Sequence, residues 1–391
     1  MSEPADLHAA RQRAVRRRAA GVMTDFDGQR LSLARRLAAM PRTRVSHVAG
    51  VTPAAITQFE KGYNKPTLAV VDKLSEALDV PTNFFRAGNP LPSLASSGAH
   101  FRSLRSTTSL ERERALSFGE LAVAVFNAIE LHVELPPLRL PDLAVPANLD
   151  LPGVDSLAQE ARSWFGLEAG PVPHMVRLLE AHGVIVVHLD SVTRKVDAFC
   201  HQSEHRPIVL LSPDKQDKAR SRFDAAHELG HLLAHHDVEP GSRLVEQQAH
   251  RFAAEFLTPA AQIVDDLPQT LDWNTLHRLK KRWGVSLKAL VLRAHTLGRF
   301  NDSTYRRGMR QLSIWGLPER GSLGPNEIPA LLPRAVELLK FPVPDALQML
   351  ARETGLPLTS VERIWQAAGG TDIRPTLNIA VMPDRRARST P

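Results

Sequence analysis

The chain has 391 residues, 43% hydrophobic and 23% charged, so it needs two or three ordinary cores rather than one. No apolar run approaches the ~20 residues that cross a bilayer, and none follows the basic N-terminus, so neither a membrane span nor a secretory leader is expected and the cytoplasm is the expected compartment. The net charge of +7 is uneven, with 14 Lys+Arg against 8 Asp+Glu in residues 1–100 and 35 against 34 in the rest, which points to a polyanion-binding module joined to a nearly neutral partner.

Residues 1–24 read as a basic flexible arm, with Arg11 to Arg18 its densest part. From 25 to 88 short helical patterns alternate with turn signals. Leu31, Ala34, Leu37 and Ala38 give a first apolar stripe. A second helix, Arg42 to Ala49, stops at Gly50. A third begins with Thr52 as N-cap and Pro53 in the first helical position, where a missing N–H costs nothing. A fourth carries Leu68, Val71, Leu74, Ala77 and Leu78 and stops at Val80-Pro81. This is an all-α bundle.

Two short helices joined at a left-handed glycine make a helix-turn-helix, with Gly50 as the turn and Val45, Val51, Ile56 and Phe59 as the shared core. The second of them would then lie in the major groove. Thr52, Ala54, Ala55, Thr57 and Gln58 are its candidate base-facing residues, since Gln pairs with adenine and Thr or Ala touches a thymine methyl. Arg42, Arg44, Lys61 and Lys65 flank it and would meet phosphates. The run VTPAAITQFEKGYNKPTLAVVDKLSEALDV resembles the Cro/C1-type (XRE) helix-turn-helix family, with Arg42 where that family often has Gln. The resemblance implies a double-stranded DNA operator and a homodimer. A bundle used only for dimerisation is the other reading.

Residues 89–150 read as a linker with one charged helix, Leu110 to about Leu135, between two Pro-rich breaks. From 151 to 310 helices near 154–165 and 173–182 precede β-branched runs at Val184 to Leu189, Val196 to Cys200 and Pro207 to Leu211, so an α+β domain is expected. Helical patterns resume at Lys218. Residues 311–391 read as a helical extension, with one or two helices around 330–368, and a disordered basic tail from Asp384.

Cys200 is the only cysteine, so a disulfide framework or a Cys-built finger is excluded and a metal would need His and carboxylates. Such a set occurs in FDAAHELGHLLAHHD. His227 and His231, four apart on a helix, present a ring nitrogen to one ion, and Glu228 stands beside it as a base. His235 is too far along the same helix to be a third ligand, and with His236 and Asp237 it reads as a helix end. Ala234 and Asp237 stand where a metzincin needs Gly and His. The third ligand must come from another segment, and the next helix offers Glu246, His250 and Glu255. Asp224, one turn before His227, either orients an imidazole or faces solvent.

With its second helix reading EQQAHRFAAEFLTP, this stretch resembles the ImmA/IrrE metallopeptidase family, with His250 in place of the usual Asn. The resemblance implies a multidomain protein: an all-α helix-turn-helix bundle, a mainly α (α+β) zincin-like metallopeptidase domain and a helical C-terminal extension. It implies Zn2+ on His227, His231 and Glu246, with Glu228 activating water. His250 is left as an outer-layer group, a rival ligand or a transition-state donor. The implied activity is a gluzincin-like zinc endopeptidase that cleaves a helix-turn-helix repressor, in trans or in its own chain. The alternative is a non-proteolytic regulator or antitoxin-like repressor whose zinc domain is structural or senses a ligand.

Overall fold

The computed structural model describes residues 21–371 except 96–98, 102–106, 144, 146–148, 168, 190–197, 204, 213–216 and 236–241. The arm up to residue 20, the tail from Asp384, and His236 and Asp237 lie outside the described residues.

The N-terminal bundle contains α1 (Gly28–Leu37), α2 (Arg42–Ala49), α3 (Pro53–Glu60) and α4 (Leu68–Leu78), followed by a 3-10 turn at Thr82–Phe85. Its boundaries follow the local signals. Gly50 takes φ 69° at the end of α2, and the Thr52 hydroxyl accepts the Ala55 N–H to open α3. Gly28 is dictated by packing, because a Cβ there would lie 2.0 Å from the Phe59 carbonyl oxygen. Residues 21–24, expected within the arm, are packed instead. Val22 bridges to Thr67, and Met23 is buried with its N–H on the Pro66 carbonyl.

The helix expected as a charged connector is α5 (Ser109–Glu130), and it is a core element. Four of its charges, Glu111 to Arg114, crowd the opening turns behind the N-cap Thr108, which forms a capping box with Glu111; from Ala115 to Phe126 every residue is buried. A helix apolar on all sides must be covered on all sides. Its one buried carboxylate, Glu120, takes Arg36 of α1 at 2.7 and 3.1 Å and the Leu94 N–H at 3.0 Å.

A four-stranded sheet of order β1-β3-β4-β2 is built from β1 (Ala99–Phe101), β2 (Ile185–His188), β3 (Ala198–His201) and β4 (Ile208–Leu211). β2 and β4 are parallel and the other pairs antiparallel, with His100 opposite Cys200. β1 falls in the stretch expected to be linker. The other three strands are apolar on both faces. Ile185, Val187, Phe199, Ile208 and Leu210 belong to one core with the bundle and α5; Val186, Ala198, Cys200, Val209 and Leu211 belong to the other.

The second core is enclosed by α6 (Leu151–Trp164), α7 (Met175–Ala181), α8 (Lys218–Ala234), α9 (Arg243–Leu257), α10 (Ala260–Ile263), α11 (Trp273–Trp283), α12 (Leu287–Thr296) and α13 (Asp302–Trp315). The closest helix pairing is α8 on α9. Ala249 and Ala253 are fully buried there, and a Cβ on Gly230 would meet the Phe252 ring at 3.0 Å.

Among the described residues the C-terminal extension has three helices rather than one or two, α14 (Leu331–Leu338), α15 (Val343–Thr354) and α16 (Leu358–Ala367). They close the first core over the bundle and α5. Arg30 of α1, 1% exposed, donates to the Thr354 and Gly355 carbonyls at the end of α15. Glu180 of α7 accepts the Ala330 and Leu331 N–H groups at the start of α14.

Candidate metal centre and nucleic-acid interface

His227 and His231 lie one turn apart on α8, and Glu246 comes from the first turn of α9. The two imidazole Nε2 atoms are 3.1 Å apart. The Glu246 carboxylate oxygens lie 3.4 Å from His227 Nε2 and 3.5 Å from His231 Nε2. A tetrahedral ion with bonds of ~2.0–2.1 Å keeps its ligands ~3.3–3.4 Å apart, so these donors already outline one face of that tetrahedron. Two imidazoles and one carboxylate are also a donor set that suits zinc. Burial alone would raise the Glu246 carboxyl, but hydrogen bonds and charge from His227 and His231 outweigh it and hold it well below the usual carboxylate range.

His231 is oriented from behind. Gln248 gives an amide N–H to the Leu149 carbonyl at 2.7 Å, so its oxygen faces His235 Nε2 at 3.0 Å. His235 therefore carries its proton on Nε2 and accepts on Nδ1 from His231 Nδ1, 3.0 Å away. In neutral His231 this leaves the Nε2 lone pair facing the candidate metal position. Burial first, and the neighbouring His231 charge second, pull the His235 pKa down to about 4, which keeps it neutral.

Glu228 is fully buried beside the histidines. Cys200 of β3 is fully buried near Glu228; burial and the Glu228 charge push its thiol up, so it stays protonated. Asp224 is 2% exposed, which removes solvent exposure as its explanation. His250 stands with its ring edge against His227, centroids 4.6 Å apart, and its Nδ1 lies 2.8 Å from the Glu246 carbonyl oxygen. It is not among the three grouped donors. Glu255, offered by the sequence as a ligand, is instead a structural anion bound by Arg293 and by Gln159 at 3.0 Å. The sequence missed His235 and Gln248 as supports. Only the pairing of α8 with α9 brings them together.

On the bundle, Thr52, Pro53, Ala54 and Gln58 are exposed, Ala55 and Thr57 half-buried, and Ile56 and Phe59 buried. Thr57 gives its hydroxyl hydrogen to the Pro53 carbonyl, and the Gln58 oxygen accepts from Asn64 at 2.7 Å. The four flanking cations differ. Arg44 is exposed, and Lys61 lies over the Tyr63 ring at 6.0 Å. Arg42 pairs with Glu60 at 2.6 Å, a carboxylate it shares with Arg35. Lys65 donates to the Thr24 carbonyl and so fastens residues 21–24.

Residues 31–85 match the helix-turn-helix family, and residues 179–295 match a peptidase family described as the IrrE N-terminal-like domain. No curated protein matches the sequence. Among solved structures, Bacillus thuringiensis PlcR in complex with the peptide PapR7 and DNA is similar at 10% identity over 88% of this chain and 93% of that one, with a TM-score of 0.15, too low to carry an argument. No helix among the described residues is long and apolar enough to cross a membrane.

Proposed function

We propose that this chain, which carries a helix-turn-helix domain at 31–85 and an IrrE N-terminal-like domain at 179–295, is a transcriptional regulator whose second domain is a zinc-dependent endopeptidase. Its inferred partners are a double-stranded operator bound by two copies and, as substrate, a helix-turn-helix repressor or a second copy of this chain. The observation that carries the reading is the joint placement of His227, His231 and Glu246 at ligand spacing with Glu228 adjacent on α8.

His227, His231 and Glu246 would hold zinc, which when bound would supply Lewis acidity toward a scissile carbonyl and a water. Glu228 takes the proton from the attacking water and returns it to the leaving amine. On the bundle, the exposed residues of α3 face base edges, and Arg44 and Lys61 supply the phosphate contacts, with a smaller share from Arg42 and Lys65 because their charges are already engaged.

The test compares wild type with Glu228→Gln, each incubated with zinc and co-encoded repressors and followed by gel and mass spectrometry. Wild type is expected to cut a repressor or itself. Glu228→Gln is expected to lose at least ~100-fold in rate while keeping its zinc. If the two proteins behave alike on every substrate, the domain is structural or ligand-sensing.

A further inference from the structure

Beside the histidines, α8, α9 and α12 enclose a recess of about 640 Å³. Phe223, Leu257, Val285 and Leu292 form its apolar walls, and Glu246 and His250 stand in the same lining. An occupant would therefore lie against the carboxylate that faces the metal position. Leu292 is 48% exposed and Leu151, at the same recess, 38%. Large aliphatic side chains held open to solvent around a concavity mark a place where something apolar docks.

We propose that this recess is the specificity pocket of the peptidase, filled by a large aliphatic or aromatic side chain of the substrate next to the scissile bond. The proposal rests on the peptidase reading and adds what that reading lacks, a rule for which peptides bind. The occupant is a peptide segment because the recess is continuous with Glu246, and a chain bound for cleavage has to lie beside the histidines and Glu228. The volume exceeds that of any one side chain, so it takes the anchor together with a neighbouring residue.

The cations of the recess select no charge of their own: Arg251 is held by both oxygens of Asp155 at 2.6 Å, Arg293 is held by Glu255, and Arg243 shares the lining with the Glu246 carboxylate. Selection is left to the apolar walls.

The experiment uses the full chain as Glu228→Gln, loaded with zinc, and dye-labelled pentapeptides Ala-Ala-Xaa-Ala-Ala with Xaa as Ala, Leu, Phe or Lys, read by fluorescence anisotropy. The Leu and Phe peptides are expected to bind about tenfold or more tighter than the Ala peptide, the effect of burying one large apolar side chain. Ala254 and Ala289 also line the recess, so Ala254→Trp and Ala289→Trp should reduce that preference to within about twofold by occupying the space the anchor needs. Circular dichroism checks that each variant is folded, and Ala289→Leu serves as the milder filling. Equal binding of all four peptides overturns the proposal. So does an apolar preference that survives filling in a folded variant, or octanoate binding in the recess without any peptide selectivity, which would make it a small-molecule site. Because binding is read on a protein that cannot turn over, a wild type that cleaves nothing bears on the peptidase reading alone.

Discussion

Gln248 donates to the Leu149 carbonyl, and that one bond fixes which end of its amide meets His235, which nitrogen of His235 is protonated, and which nitrogen of His231 is free. Such supports behind a ligand are typically worth 10–100-fold in metal affinity. Gln248→Leu is therefore expected to weaken zinc about 10–100-fold with the fold retained, measured by competition with a chromophoric chelator. Unchanged affinity would remove the orienting role. The shared face of His227 and His231 with Glu228 beside them follows from helical periodicity alone, whereas Glu246 on the next helix was singled out only by the family resemblance. Gln248 was not legible in the sequence, because its partner His235 lies on a different helix.

α5 shows how an element can be misread from its first turn. Glu111, Arg112, Glu113 and Arg114 look like a solvated connector, yet the apolar run behind them packs between the bundle and the sheet. Glu120 is the exception in that run, and Arg36 completes it. Glu120→Ala is expected to destabilise by about 3 kcal/mol, since it leaves the Leu94 N–H and the Arg36 guanidinium without their anion. The midpoint of urea unfolding reads this out, and a shift below ~1 kcal/mol would mean that water replaces the carboxylate. The second bundle helix and the start of the third, by contrast, were legible to the residue, because Gly50 and Thr52-Pro53 are stop and start signals that act locally. The C-terminal helices were undercounted. Pro342 and Pro357 each precede a new helix, and Gly355 ends the one between them.

At the scale of the molecule the two halves share one sheet. The helix-turn-helix bundle rests on α5, α5 rests on the face of the sheet opposite α8, and α8 carries the histidines. Glu180 is one fastening of the C-terminal helices to the half that carries the metal centre. Burial pushes its carboxyl up to about 7 from 4.5, against the pull of the Leu331 and Ala330 N–H groups. A folded value above the unfolded one means that its contribution is full below 4.5 and is lost as pH rises through 7. Between about pH 4.5 and 8, wild type is expected to lose about 3 kcal/mol relative to Glu180→Gln, measured by urea unfolding at both ends of the range. Parallel profiles would show that the carboxyl titrates normally.

By itself the sequence determined the helix-turn-helix, the strands on either side of Cys200 and the shared face of His227 and His231, because each rests on contacts within a few turns of chain or on a period of 2 or 3.6. The tertiary structure alone decided what those pieces rest on: α5 as a buried layer, β1 at the sheet edge, Arg30 on the end of α15, and the His235–Gln248 support. These are pairings between segments tens to hundreds of residues apart. No local periodicity encodes them, and they are selected only by which apolar faces remain to be covered once the elements have formed.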